Sequence, residues 1–87
     1  MDIRKVFGAN VRRYRIAADL TQDAIAVRMG VDRAYISLIE RGGQNATLIS
    51  LLEIAQALRV RPYQLLVEDC DIAGDIPKPH PAEPAGV

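Results

Sequence analysis

Apolar residues recur at helical spacing through most of the chain, from about residue 3 to residue 67. Phe7, Val11 and Tyr14, for example, are three or four positions apart and would line one face of a helix. No segment here alternates apolar and polar residues as a half-buried strand does, and Pro62 is its only proline. The pattern therefore predicts an all-α domain. Residues that start and stop helices divide it into five short helices, over about 3–18, 22–29, 33–41, 48–58 and from 62 onward.

The residues at the boundaries of these segments have the chemistry of helix caps. Thr21, Asp32 and Thr47 each precede a predicted helix, where a side-chain oxygen can accept a free backbone N–H. Gly30 would end the second helix, because glycine adopts the left-handed conformation without strain. Arg59 follows the fourth helix where glycine is usual, so a left-handed Arg59 would cost about 1 kcal/mol.

The second and third predicted helices are separated only by Gly30 and Val31. Two helices joined by a short glycine-containing turn form a helix-turn-helix, in which the second helix can enter the major groove of DNA. At about 100° per residue, Ile36 and Ile39 face the second helix. The opposite face is left outside and carries Arg33, Ala34, Ser37, Leu38 and Arg41.

The side chains on this outer face can bind DNA. Arg33 can donate two hydrogen bonds to O6 and N7 of a guanine; alternatively it is a solvated surface residue paired with Asp32 or Glu40. Ala34 can touch a thymine methyl group, and Ser37 can bond a base edge or a phosphate.

Two further polar residues flank this face. Gln22 lies in the first turn of the second helix, where its amide and the free backbone N–H groups can hold a phosphate. An exposed polar residue without a role is the alternative for Gln22. Tyr35 is expected to pack its ring at the edge of the core, and its hydroxyl can also reach a phosphate.

Four stretches of the chain together form a specific motif. They are Leu20-Thr21-Gln22 with Ala26, then GVDRAYIS from Gly30, IERG from Ile39 and NATL from Asn45. Over about residues 7–67 the chain resembles the lambda-repressor/Cro-like (XRE) helix-turn-helix family. The DRAYISLIER stretch is most similar to controller proteins of restriction–modification systems, which are small single-domain dimers. The resemblance implies a compact five-helix lambda-repressor-like DNA-binding domain.

The resemblance also implies roles for individual residues. Gln22, Ser37, the Gly43-Gln44-Asn45 loop and Thr47 would contact phosphates or base edges, and Arg15 would form an ion pair with Glu40. The chain departs from the family pattern at Ala46, Arg59 and Arg61, which affects loop rigidity and the junction after the fourth helix. The residues predicted to contact DNA are Gln22, Arg33, Ala34, Tyr35, Ser37, Arg41, Gln44, Asn45 and Thr47.

A single helix of this kind reads too few base pairs to find a site in a genome. Two copies related by a twofold axis would read half-sites about 34 Å apart. The predicted core takes Leu48, Leu51, Ile54, Ala55, Leu58, Val60 and Leu65. The apolar residues left over are Ile49, Leu52, Tyr63, Leu66 and Val67. They are either a dimer face, which the resemblance favours, or the scattered exposure normal on any surface.

The charge of the chain is unevenly distributed. Residues 1–67 contain ten Lys/Arg and six Asp/Glu, for a net charge of +4, whereas residues 68–87 contain one Lys and five Asp/Glu, for −4. The last fourteen residues are rich in proline and glycine. We expect one domain over residues 1–70, for DNA binding and dimerisation, and a disordered Pro-rich acidic tail over 71–87. A further hypothesis is that this acidic tail competes with DNA for the basic surface of residues 1–67.

Catalytic and cofactor chemistry has little support in the sequence. The single Cys70 and the single His80 have no nearby partners for a disulfide, a metal site or a nucleophile. No apolar run approaches the roughly 18 residues of a membrane span, and Asp2, Arg4 and Lys5 interrupt any signal peptide. We expect a cytoplasmic, non-enzymatic protein without metal, cofactor, membrane contact or small-molecule effector.

The sequence thus predicts a sequence-specific regulator of transcription that binds double-stranded DNA as a homodimer on a pseudo-palindromic operator. It would act at the nucleoid of a bacterium or on phage DNA, and the resemblance favours a restriction–modification controller. The alternatives are an antitoxin or phage-repressor-like DNA binder, and a protein-interaction module that no longer binds DNA. Arg33 and Ser37 on the outer face argue against the last, since an acidic residue at position 33 would have favoured it.

Overall fold

The computed structural model describes residues 1–68, which form four α-helices and one short 3-10 helix. The elements are α1 (Ile3–Ala17), α2 (Gln22–Met29), α3 (Arg33–Glu40), α4 (Leu48–Leu58) and the 3-10 helix (Pro62–Leu66). The all-helical architecture is confirmed for these residues. The expected fifth α-helix is instead a five-residue 3-10 helix, a form that suits short segments. The predicted tail over 71–87 and its boundary at residue 70 lie outside the described residues.

The helix boundaries follow from local chemistry. The Oγ1 atoms of Thr21 and Thr47 each accept the backbone N–H three residues later, at 3.0 Å. Gly30 ends α2 in the left-handed conformation, with φ 71°. Arg59 ends α4 in the same conformation, with φ 61°, and so carries the strain expected of a residue with a Cβ.

The two aspartates that precede helices behave differently. Asp2 Oδ1 accepts the backbone N–H of Arg4 at 3.0 Å; the hydrogen bond from the Arg4 side chain, and then this one, lower the pKa of the Asp2 carboxyl group. Asp32 holds the N-cap position of α3, but its side chain accepts no backbone N–H. The N–H of Tyr35, three residues on, bonds instead to the backbone carbonyl of Asp32 at 3.0 Å. The prediction that the Asp32 side chain caps α3 is therefore wrong.

The core lies where the four α-helices and the 3-10 helix meet. Its buried side chains are Phe7, Val11, Ile25, Ala26, Ile36, Ile39, Ile54, Ala55, Leu58 and Leu65. Leu51 and Val60 pack partly buried against it. Leu48, also predicted to be in the core, is 81% exposed. It lies on the inward face of α4 by spacing, but as the first residue of the helix it borders an open groove that no other element of residues 1–68 covers.

The backbone of α1 rests directly on the end of α3. A Cβ atom at Gly8 would lie 2.2 Å from the carbonyl oxygen of Ile39 and 2.9 Å from that of Glu40. No residue other than glycine fits this contact. Gly8 therefore fixes the separation between α1 and the C-terminal end of α3.

Asn10 is a polar residue buried within this core. Its Nδ2 donates to the carbonyl oxygens of Leu65, at 3.0 Å, and Val67, at 2.8 Å. Its Oδ1 accepts a hydrogen bond from Arg13 Nη2 at 2.8 Å, which orients the amide. Asn10 thereby ties the 3-10 helix and the residue after it to the middle of α1.

Candidate nucleic-acid interface

Helices α2 and α3 form a tight pair joined by a short turn. The left-handed Gly30 reverses the chain, and the N–H of Val31 bonds to the carbonyl oxygen of Ala26 at 3.0 Å. Ile36 and Ile39 of α3 are buried in the core with Ile25 of α2. The apolar side of α3 thus packs against the hydrophobic core, and its opposite side faces solvent.

The outer face of α3 is open at its N-terminal end. Arg33 and Ala34 are exposed, as is Arg41 just after the helix, while Ser37 and Leu38 are half-buried. Arg33 Nε lies 3.8 Å from Oδ1 of Asp23, but the two side chains are 64% and 74% exposed, so this pair restrains Arg33 only weakly. The partner of Arg33 in the structure is therefore Asp23, and neither Asp32 nor Glu40 pairs with it. The guanidinium group is available to a ligand.

Glu40, at the last position of α3, binds two side chains from other parts of the domain. Its Oε2 accepts a hydrogen bond from Arg15 Nε at 2.6 Å, and its Oε1 accepts one from Arg15 Nη2 at 3.1 Å. Gln22 Nε2 donates to the same Oε1 at 3.0 Å. The Glu40 side chain is 3% exposed, and its hydrogen bond raises the pKa of the Arg15 guanidinium. The pair implied by the resemblance is present, and it also holds Gln22.

A second cluster links α3 to the start of α4 through three hydroxyl groups. Tyr35 packs its half-buried ring against the core, and its hydroxyl donates to Ser50 Oγ at 3.2 Å. Thr47 Oγ1 donates to the same Ser50 Oγ at 3.1 Å. Two of the residues predicted to contact DNA, Tyr35 and Thr47, are therefore connected by a residue that the sequence reasoning missed.

The loop between α3 and α4 carries the remaining predicted contacts. Asn45 and Thr47 are exposed, and Gln44 is half-buried. All three border an open groove of about 180 Å³, lined on its apolar side by Phe7 and Leu51 among others. The predicted contacts therefore lie at the start of α2, along α3 and on the loop that follows α3.

The apolar residues predicted to form a dimer face lie on α4 and the 3-10 helix. Ile49, Leu52, Tyr63 and Leu66 are exposed, and Val67 is half-buried. The structure adds Ile3 and Leu48, which are exposed and border the same groove as Leu66. Within residues 1–68, these apolar side chains near α4 are thus not covered by another element.

Two residues that shape the site were missed in the sequence. Asn10 interrupts the inward face of α1 three positions after Phe7, and a polar residue on an apolar face was the available signal. Ser50 had no comparable signal, because its bond to Tyr35 joins two separate helices. Within residues 1–68, no group of three or more His, Cys, Asp or Glu side chains is placed to hold a metal ion. No helix of this part is long and apolar enough to span a membrane.

The pair α2–α3, with its glycine turn and its open outer face, defines a helix-turn-helix domain. Comparison with known proteins agrees: the family model described as helix-turn-helix matches residues 11–65. An uncharacterised HTH-type transcriptional regulator of Sinorhizobium fredii is 44% identical over 66 residues, covering 76% of this chain and 86% of that protein. The chain belongs to the helix-turn-helix family of the lambda-repressor/Cro (XRE) type, as the sequence motif indicated.

Two solved structures have the same fold. The restriction-modification controller protein C.AhdI from Aeromonas hydrophila has a TM-score of 0.68 and 37% identity, covering 71% of this chain and 94% of that one. The restriction-modification controller protein C.Esp1396I, solved as a tetramer in complex with its natural 35-base-pair operator, has a TM-score of 0.68 and 29% identity. That match covers 75% of this chain and 86% of the controller.

Proposed function

We propose that this protein is a transcriptional regulator that binds a pseudo-palindromic double-stranded DNA operator as a homodimer. The observation that carries the proposal is the open N-terminal end of α3, where Arg33 and Ala34 are exposed while Ile36 and Ile39 are buried. A helix held in this way by one face can place its first turn against base edges in the major groove.

The outer residues of α3 are assigned to base recognition. Arg33 is assigned to O6 and N7 of a guanine, because its planar group donates two parallel hydrogen bonds. Ala34 is assigned to a thymine methyl group, and Ser37 to a base edge or phosphate. The weak pair with Asp23 would be exchanged for the base without a large loss of energy.

The flanking polar residues are assigned to the DNA backbone. Gln22 can keep its hydrogen bond to Glu40 and donate its second amide hydrogen to a phosphate. The other assigned residues are Tyr35, Arg41, Gln44, Asn45 and Thr47. Phosphate contacts of this kind would fix the register of α3 in the groove without reading sequence.

The fold neighbours support a finer assignment. C.AhdI and C.Esp1396I are both restriction-modification controller proteins, and C.Esp1396I is bound to its operator as a tetramer. We therefore propose a controller of this type, acting at the nucleoid in the bacterial cytoplasm and without catalytic activity of its own. Residues 1–70 would form the DNA-binding and dimerisation domain. An antitoxin or phage repressor would use the same interface and would differ in the genes next to its own.

Selection of bound sequences from random duplexes is the direct test of this proposal. Enriched sites are expected to be twofold-symmetric, with half-sites about one helical turn apart. Enrichment of unpaired half-sites would contradict the homodimer. A protein-interaction module that has lost DNA binding would enrich no sequence at all.

Replacing Arg33 with alanine is expected to weaken binding to the selected operator by about 1–3 kcal/mol and to relax the preference at one guanine in each half-site. Fluorescence anisotropy with the operator and with single-base variants measures both effects. Arg61→Ala is the matched control, since it removes an exposed arginine next to the 3-10 helix. An equal loss on every duplex would make Arg33 a phosphate contact and not a reader of base sequence.

Placing a charge on the proposed dimer face is expected to shift the protein toward monomer. In the Leu52→Glu variant the two copies would each bury a carboxylate against apolar side chains such as Tyr63, which is unfavourable. Sedimentation equilibrium measures the dissociation constant of the dimer. Val27→Glu is the control, because Val27 is a highly exposed apolar residue on α2, outside this face. Equal dissociation constants for the two variants would show that the dimer interface does not include Leu52.

A further inference from the structure

Lys5 is placed against the loop that follows α3, although neither the helical pattern nor the family motif assigns it a role. A Cβ atom at Gly42 would lie 2.8 Å from Lys5 Cγ and 3.1 Å from Lys5 Cα. Gly42 is buried, with φ 79°, so the loop turns directly beneath the aliphatic part of Lys5. Lys5 lies three positions before Gly8, on the same side of α1. The contact at Gly8 therefore also fixes the position of Lys5.

The ammonium group of Lys5 has no ion-pair partner within the described part of the chain. The ion pairs of residues 1–68 join Arg4 to Asp2, Arg15 to Glu40 and Arg33 to Asp23. Lys5 takes part in none of them and in no side-chain hydrogen bond of this part. Its side chain is exposed.

Lys5 lies beside other residues that could contact the phosphate backbone of DNA. Arg41, also exposed and without an ion pair in residues 1–68, directly precedes Gly42 in the chain. Gln44 and Asn45 lie further along the same loop and are proposed to contact the DNA backbone. Lys5, on α1, therefore places a second cation beside the loop that is proposed to lie along the DNA phosphates.

We propose that Lys5 is a further phosphate-binding residue, contributed by α1 to the DNA interface. This inference rests on the proposed function, since it requires the α3–α4 loop to face the DNA backbone. A lysine suits the role because its ammonium group is a point charge with three donors on a flexible stem. It needs no exact geometry and carries no sequence information.

A different role for Lys5 predicts a different result. The carbonyl groups at the end of α3 carry partial negative charge, and a nearby cation stabilises them. In that case loss of the charge would lower the melting temperature and leave DNA binding unchanged. The two roles are separated by measuring both quantities on the same variants.

The test uses the full chain with Lys5→Gln, which removes the charge and keeps most of the stem, and Lys5→Arg, which keeps the charge. Affinities for the selected operator and for a scrambled duplex are measured between about 50 and 200 mM salt. For Lys5→Gln we expect the same several-fold loss on both duplexes. The slope of log affinity against log salt should fall in magnitude by roughly 0.9 for each lost contact, so by roughly 1.8 for a dimer. Lys5→Arg and the control Arg61→Gln should both retain the wild-type slope.

An unchanged slope in Lys5→Gln would overturn this inference alone, whether or not the melting temperature falls. A loss confined to the operator would also overturn it, because a phosphate contact is indifferent to base sequence. If the wild-type protein bound neither duplex in a salt-dependent way, the proposed function would fail together with the inference.

Discussion

Replacing Glu40 with alanine is expected to lower the free energy of unfolding by about 3 kcal/mol. The variant leaves the Arg15 guanidinium, 13% exposed, without its counter-charge, and removes the acceptor of the Gln22 amide. Most surface substitutions change stability by only about 0.5 kcal/mol, so the effect should be well resolved. Urea unfolding followed by far-ultraviolet circular dichroism measures it.

Two further variants show whether the loss comes from the orphaned charge. Replacing both Arg15 and Glu40 with methionine removes the charge together with its partner, and should recover much of the lost stability. Asp23→Ala breaks the exposed pair with Arg33 and should have little effect on unfolding. If Glu40→Ala unfolds like Asp23→Ala, then the cluster at the end of α3 does not stabilise the domain.

Replacing Gly8 with alanine is expected to destabilise the domain by about 3 kcal/mol, at the upper end of the range for overpacked sites. The new methyl group would meet the backbone carbonyls of Ile39 and Glu40, which cannot turn away as a side chain could. Helix propensity alone predicts that this substitution stabilises the domain, because alanine is favoured over glycine within a helix by about 1 kcal/mol. Thermal and urea unfolding decide between the two.

Ala9→Gly is the matched control for this substitution. Ala9 is exposed on α1, next to Gly8. Its replacement should cost only the difference in helix propensity, about 1 kcal/mol. A Gly8→Ala protein at least as stable as wild type would show that α1 can move away from α3 at little cost.

The helices themselves could be predicted closely, because the signals that set their ends are local. Helix α4 begins after Thr47 and ends at Leu58 as expected, since the cap and the apolar spacing both lie within the segment. Leu48 shows the limit of this reasoning. Its side of the helix followed from spacing, but whether another element covers that side depends on the tertiary fold.

In the candidate site, only the features set within a single helix could be predicted from the sequence. The exposure of Ala34 follows from the burial of Ile36 and Ile39 on the other side of α3, so the helical pattern could predict it. The hydrogen bond from Gln22 to Glu40 joins residues 18 positions apart on different helices, and no spacing rule indicates it. Asn10 is the extreme case, because its acceptors are backbone atoms 55 and 57 positions away.

The two acceptors of Asn10 bear on the proposed dimer face, to which Leu66 and Val67 belong. Both are main-chain carbonyls, so these hydrogen bonds do not require particular side chains at positions 66 and 67. Leu66 and Val67 can be exchanged for other residues while the backbone that displays them stays in place. If these residues form the proposed dimer face, related regulators in one cell could acquire separate pairing preferences through these two side chains, without redesign of the fold.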